Sequence, residues 1–235
     1  MKITNEGIAV IETDSRHISK WVEEHKRLDI QEGQILPWLK NVPVGGVCID
    51  VGAFIGDTAL TMAKHVGENG IIIAIEPNPE AFECLNYNME HSDVMSKNTI
   101  TFNHAVGSAT GKPVTLIKDD NAGASWLSRF GSGGISTKAL DHIALDILSQ
   151  ENKKVSFIKI DVEGWEVEVL RSAKNILLKD KPDLLIEVNH GALARQGMEL
   201  IDIIDLLIDH EYQWVITDPS IIYSDPQFDI FCTAK

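Results

Sequence analysis

Two short runs, Val47-Cys48-Ile49-Asp50-Val51 and Ile71-Ile72-Ile73-Ala74-Ile75, are apolar at almost every position. A half-exposed strand alternates apolar with polar residues. An unbroken apolar run reads instead as a strand covered on both faces, the condition of parallel sheets. Helical patterns follow each run, at Thr58 to Val66 and at Pro79 to Met89. The alternation continues with a strand at Ile100 to Val106, an extra strand at Val114 to Lys118, a helix at Leu140 to Leu148 and a strand at Phe157 to Ile160. A helix at Val167 to Leu178, closed by Pro182, leads to a strand at Leu184 to Val188 and a helix at Glu199 to His210. The last two strands, Gln213 to Thr217 and Phe228 to Thr233, have only a loop between them and are expected to pair antiparallel. Strands alternating with helices predict an α/β fold with a mostly parallel sheet and helices on both faces.

The first 40 residues read as a helical preface. Ile18, Trp21, Val22 and His25 recur at helical spacing after a candidate cap at Ser15, and Pro43, Gly45 and Gly46 break the pattern. The expected organisation is a helical cap over 1–40 and one domain over 41–235. Residues 121–134, rich in Gly and Ser, read as a long surface loop carrying Trp126.

The chain has 235 residues, 21 Lys and Arg against 35 Asp and Glu, and a formal charge of −14. A surface of that sign repels phosphate backbones and anionic membranes, so neither a nucleic acid nor a membrane is expected as partner. The one basic cluster, Lys20, His25, Lys26 and Arg27, is interleaved with Glu23 and Glu24 and reads as a solvated helix face. Cys48, Cys84 and Cys232 form no CxxC pair, which argues against a zinc site or a disulfide framework and fits a reducing, cytoplasmic setting. Residues 1–14 contain no apolar stretch of signal-peptide length, and no run approaches 18 apolar residues.

The first strand runs into Asp50-Val51-Gly52-Ala53-Phe54-Ile55-Gly56-Asp57-Thr58. Glycines in such a turn let a ligand approach the backbone. The spacing is GxxxG rather than the GxGxxG of dinucleotide sites, and Asp50 at the strand end repels a pyrophosphate but accepts from an ammonium group. The second strand ends in Glu76, 76 − 56 = 20 residues after the last glycine, where an acid takes ribose hydroxyls. A nucleoside with an ammonium and a carboxylate but no phosphate is S-adenosylmethionine. In this reading Asp50 faces its amino group. The backbone from Gly52 through Ala53, Phe54 and Gly56 to Asp57, with the Thr58 hydroxyl, faces its carboxylate. Glu76 and Pro77 hold the ribose, and Asn78 with His104, Ala105 and Val106 borders the adenine.

The fourth strand ends Lys159-Ile160-Asp161-Val162-Glu163-Gly164-Trp165 and the fifth Glu187-Val188-Asn189-His190. Ligands of open α/β sheets sit outside these carboxyl ends. Asp161 is a candidate for orienting the sulfonium end, accepting a hydroxyl proton or holding a metal, and Glu163 accompanies it. His190 is the preferred base, because imidazole titrates near neutrality. No metal is assigned. Trp126 and Trp165 are candidates for the wall of an acceptor pocket.

Three segments resemble the FkbM-type family of S-adenosylmethionine-dependent methyltransferases. They are Ile49 to Gly56 followed by Ala74 to Glu80, then Lys138-Ala139-Leu140-Asp141, and Ile158 to Gly164 through Val169-Leu170 to Lys181-Pro182 and Ile186-Glu187. The resemblance covers about residues 40 to 235. It implies the class I methyltransferase fold, a Rossmann-like seven-stranded sheet with one antiparallel strand. It also implies O-methylation, and Asp50, Gly52 and Glu76 as cofactor contacts. Phe54 stands where the family usually has Asn, and Trp165 where a small residue is common. The expected function is O-methylation of a hydroxyl on a small molecule, sugar or natural product. The alternatives are a nicotinamide-dependent oxidoreductase and a non-catalytic nucleoside-binding domain. Oligomeric state is not read from the sequence.

Overall fold

The computed structural model describes residues 1–12, 18–119, 122–130, 133–149, 151–223 and 225–235. In chain order these form β1 (Lys2–Ile3), β2 (Ala9–Val10), α1 (Ile18–His25), α2 (Glu32–Ile35), β3 (Val47–Val51), α3 (Asp57–Val66), β4 (Ile71–Ile75), α4 (Pro79–His91), α5 (Met95–Asn98) and β5 (Thr99–Phe102). The small strands β6 (Ala105–Val106), β7 (Pro113–Ile117), β8 (Trp126–Ser128) and β9 (Ile135–Lys138) follow. The chain closes with α6 (Leu140–Leu148), β10 (Val155–Ile160), α7 (Glu166–Ser172), α8 (Lys174–Lys179), β11 (Asp183–Asn189), α9 (His190–Arg195), α10 (Leu200–Asp209), β12 (Tyr212–Ile216) and β13 (Gln227–Ala234).

The main sheet has seven strands in the order β12-β13-β11-β10-β3-β4-β5. β10, β3, β4 and β5 pair in parallel, as does β11 with β10, while β13 runs antiparallel to both its neighbours. This is the mostly parallel sheet that the apolar runs predict and the class I methyltransferase arrangement that the family resemblance implies. Successive side chains of a strand face opposite ways, and the burial follows that rule. Val47, Ile49, Val51, Ile73 and Ile75 pack with the residues of α6, α7 and α10 on one face. Cys48, Ile72, Ala74, Phe157 and Leu185 pack with α3 and α4 on the other.

The N-terminal segment joins that second layer. Ala9, Val10, Val22, Leu28, Ile35 and Leu39 are buried against it, and the Asn88 side chain of α4 bonds Ala9 and Ile55. Buried Asp29 pairs with Arg27 and with Lys64 of α3. The preface is therefore not wholly helical: it opens with the β1–β2 hairpin, whose two-residue strands are too short to show a period of two. Ser15, the expected helix cap, lies outside the described residues.

Three other expectations need correction. The strand expected over 100–106 is two strands in different sheets, because Asn103 between them turns its Nδ2 onto the carbonyls of Glu76 and Pro77. The helix expected over 167–178 is broken at Ala173, whose backbone sits at φ −105°, ψ 17°. The expected loop over 121–134 contains β8, which pairs with β7 in a four-stranded ribbon of order β6-β9-β7-β8.

Register sets the site. Val51 lies beside Ile75 and Ile160, and Ile160 beside Ile186. Gly52, Glu76 and Asp161 therefore leave the sheet at one level, with Glu187 of the longer β11 beside Asp161. The chain winds from β3 towards β5 on one side and from β10 towards β11 on the other, so β3 and β10 flank the topological switch point, where open α/β sheets bind ligands.

Candidate active site

A cleft of about 830 Å³, counting the open solvent at its mouth, lies at this point. Gly52, Phe54, Asp57, Thr58, Glu76 and Pro77 form its floor, His104 and Val106 one side, and Asp161, Glu163 and Trp165 the other. Leu116, Ser125 and Leu127 of the small ribbon and Ile18 and Gln31 of the N-terminal segment complete the rim.

Glu76 is the best-anchored side chain of the floor. One carboxylate oxygen accepts from Asn78 N at 2.7 Å and the other from Phe54 N at 3.0 Å. Each oxygen keeps a second lone pair for a ligand hydroxyl. Burial pushes this carboxyl up to about 7 against the pull of those two donors.

Asp50 does not occupy the place expected of it. It is wholly buried behind the lining and accepts from Thr58 Oγ1 at 2.5 Å. The Thr58 hydroxyl is thus spent on Asp50 rather than offered to a ligand carboxylate. Asp57, at the start of α3, lines the cleft floor in place of Asp50, and burial pushes it up to about 7. The strand-end period of two turns residue 50 towards α3, which is why the acid seven residues later meets the cleft instead.

The glycines also act differently from the expectation. Gly52 has φ +87°, and a Cβ there would overlap the carbonyl of Asp161. Its bareness serves the closure of β3 on β10. Gly56, at φ +97°, turns the chain into α3. The amides of Gly52 and Ala53 both bond Ile75 O, so neither is open to a ligand, and Ala53 is fully buried outside the lining. Asn78 and Ala105 are likewise outside the lining. The Asn78 side chain caps α4 by accepting from Glu80 N at 3.1 Å. Among the described residues, Asp50 Oδ1, Asp57 Oδ2 and His104 Nδ1 are buried without a hydrogen-bond partner.

Lys159 is the residue that sequence reasoning passed over. It is 7 % exposed, lines the cleft, and its Nζ lies 2.9 Å from Asp161 Oδ2. Burial works to raise Asp161, but the Lys159 ammonium outweighs it and holds the carboxyl below its usual range. Burial and the Asp161 charge push neighbouring Glu187 up, and it accepts from Gln227 at 2.7 Å. A lysine in an otherwise apolar strand, two residues before an acid on the same face, was the available signal.

Glu163 sits in a left-handed turn at φ 52° on the cleft wall. Burial and the Asp161 charge push it up to about 7, with Arg195 at 3.9 Å opposing them. His190 does not join this group. Its Nε2 is bonded to Tyr223 O at 2.7 Å, its ring meets Phe228 edge-on, and it lines a separate groove with Met198 and Trp214. Of the two expected acid–base candidates, Glu163 lines the cleft and His190 does not. Trp165 is in the wall, its Nε1 bonded to Val106 O at 2.8 Å with Arg129 over its ring. Trp126 lies outside the lining, beneath Arg195.

The cleft suits a cationic nucleoside. It offers a doubly anchored acid for ribose hydroxyls, a buried acid with an unpartnered oxygen for an ammonium group, and an unpartnered imidazole nitrogen further along. Comparison with known proteins agrees. Hexuronic acid methyltransferase AglP of Haloferax volcanii is 30 % identical over 167 residues, which is 69 % of this chain and 64 % of that protein. The chain thus spans less than two thirds of that relative. Methyltransferase FkbM from Methylobacillus flagellatus KT shares the fold at a TM-score of 0.56 and 17 % identity, over 83 % of this chain and 45 % of that one. Precorrin-6y C5,15-methyltransferase from Geobacter metallireducens GS-15 does so at 0.51 and 14 %, over 87 % and 86 %. Residues 50–214 match the family described as the methyltransferase FkbM domain, whose methyl donor is S-adenosylmethionine. With that match extending over more than half its length, this chain belongs to the FkbM methyltransferase family.

Proposed function

We propose that the cleft carries out O-methylation of a hydroxyl on a sugar or another small molecule, with residues 1–40 as its cap and 41–235 as the catalytic domain. The observation that carries this reading is the level exit of Gly52, Glu76 and Asp161 around one cleft, with both Glu76 oxygens fixed by backbone amides. A sugar is the favoured acceptor class because the relative in Haloferax volcanii is named for a hexuronic acid. The net charge of −14 speaks against a nucleic-acid acceptor.

S-adenosylmethionine supplies, when bound, a methyl group made electrophilic by its sulfonium. The chain's own residues bind, orient and move a proton. Glu76 accepts the ribose hydroxyls on its remaining lone pairs, and Asp57 Oδ2 accepts from the amino group. Asp161, kept ionised by Lys159, presents negative charge to the cationic end. Glu163 takes the acceptor's hydroxyl proton. A carboxyl near 7 is half ionised at neutral pH and strong enough as a base to help. Much of the remaining acceleration comes from holding the acceptor oxygen in line, the work of the ribbon and the N-terminal rim.

Calorimetric titration with S-adenosylhomocysteine tests the reading. Saturable binding is expected, weakened by Glu76→Ala. A wild-type chain that binds none, or a variant with undiminished affinity, would overturn it.

A further inference from the structure

We propose that Lys159 is a positioning residue and the internal cation of this site: its ammonium does for the strand-end carboxylates what a divalent ion does in other acid clusters. The proposal deepens the methyl-transfer reading and rests on it for the role of Asp161, but not for the charge balance itself.

Lys159 is the one Lys or Arg among the described residues that is buried. It stands directly opposite Asp50 in the β3–β10 register. The same face of the sheet carries Asp161 at the end of β10, level with Glu187 of β11, whose cross-strand neighbour on β13 is Asp229. Asp161, Glu163 and Glu187 each bring an oxygen within 4.8 Å of the others. Carboxylates gathered this closely out of water must be neutralised by a cation or by protons. Here a cation is built in, because the ammonium reaches Asp161 Oδ2 at 2.9 Å. An ammonium on a flexible stem gives one fixed positive charge without open coordination positions. Asp161 is therefore tethered by its Oδ2 to Lys159, with the raised Glu187 carboxyl as its second hydrogen-bond partner, and it still lines the cleft.

The test replaces the cation. Mn²⁺ binding is followed by electron paramagnetic resonance, and S-adenosylhomocysteine affinity by calorimetry, in the wild type, Lys159→Met and Lys159→Arg. The wild type is expected to bind no Mn²⁺ and to keep its affinity after chelator treatment. Lys159→Met is expected to lose about tenfold to a hundredfold in affinity, to bind Mn²⁺, and to regain affinity when Mn²⁺ is added. Lys159→Arg is expected to retain wild-type affinity without Mn²⁺. A merely structural lysine would give no recovery with Mn²⁺. A Lys159→Met chain that folds only when Asp161→Asn is added supports the same pairing, and one not recovered by that change overturns it. Mn²⁺ binding by the wild type, or none by a folded Lys159→Met, overturns it too. A wild type that binds no S-adenosylhomocysteine would defeat the functional reading alone, since the Mn²⁺ comparison still stands.

Discussion

Replacing Gly52 by Ala probes the junction on which the site is built. The residue has φ +87°, which costs a residue with a Cβ roughly 1–2 kcal/mol. The added methyl would also stand well inside 3.0 Å of the Asp161 carbonyl oxygen, a backbone atom that cannot rotate away. Relief requires the end of β10 to move off β3, at about 1–3 kcal/mol for overpacking. That movement endangers the Asp161 N to Val51 O bond, now 3.0 Å, for about 1 kcal/mol more. The total is about 3–6 kcal/mol. Gly111→Ala is the control. Its φ is +83° but nothing lies within 4 Å of the added Cβ, so only the conformational cost of about 1–2 kcal/mol applies. Urea denaturation of both variants gives the comparison. Gly52→Ala is expected to lose clearly more stability than Gly111→Ala and also to lose affinity for S-adenosylhomocysteine, because Asp161 is displaced. Equal losses in the two variants would show that the close approach of Gly52 to Asp161 does not matter and would refute the reasoning.

Three further outcomes follow from the geometry. Glu163→Gln is expected to lower turnover by about 10²–10⁴-fold while leaving S-adenosylhomocysteine binding intact; in the wild type the rate rises with pH through about 7, and that limb disappears in the variant. His190→Ala is expected to change neither, as its ring is bonded to Tyr223 outside the cleft, and a loss comparable to that of Glu163→Gln would restore it as the base. Glu166 is buried, with Oε2 unpartnered and its carboxyl pushed up to about 7 by burial. The folded chain therefore holds a proton there that the unfolded chain releases at the ordinary, lower glutamate range, so stability falls as pH climbs from that range through about 7. Glu166→Gln is expected to flatten that decline in denaturation midpoints measured between pH 5 and 8, and an unchanged slope would contradict it.

Much of the sheet was legible because strands buried on both faces leave unbroken apolar runs. Ile71–Ile75 was read to the residue, and Val47–Val51 likewise. What failed was anything decided across space. Asn103 ends β5 through bonds to Glu76 and Pro77, 27 and 26 residues earlier. The strand at Trp126–Ser128 exists because Thr115 to Ile117 pair with it, and a Gly- and Ser-rich stretch shows no sign of that. At the site, the glycine turn and Glu76 could be found by spacing. That Asp57 rather than Asp50 reaches the cleft could not, since it depends on which side of β3 the Thr58 hydroxyl covers. His190 looked like a base from its residue type, whereas the partner that occupies it comes from a loop 33 residues later. Lys159 was visible, but its importance lies in the acids that three other strands bring to it.

The central claim is that the strand ends around Gly52 form a nucleoside site in which Glu76 holds the sugar and Asp57 the amino end. A crystal structure with S-adenosylhomocysteine bound tests this most directly. The account predicts both ribose hydroxyls on the Glu76 carboxylate and the ammonium group on Asp57 Oδ2, with the sulfur turned towards Asp161. The nucleoside bound elsewhere, or in this cleft with its ribose away from Glu76, would contradict it.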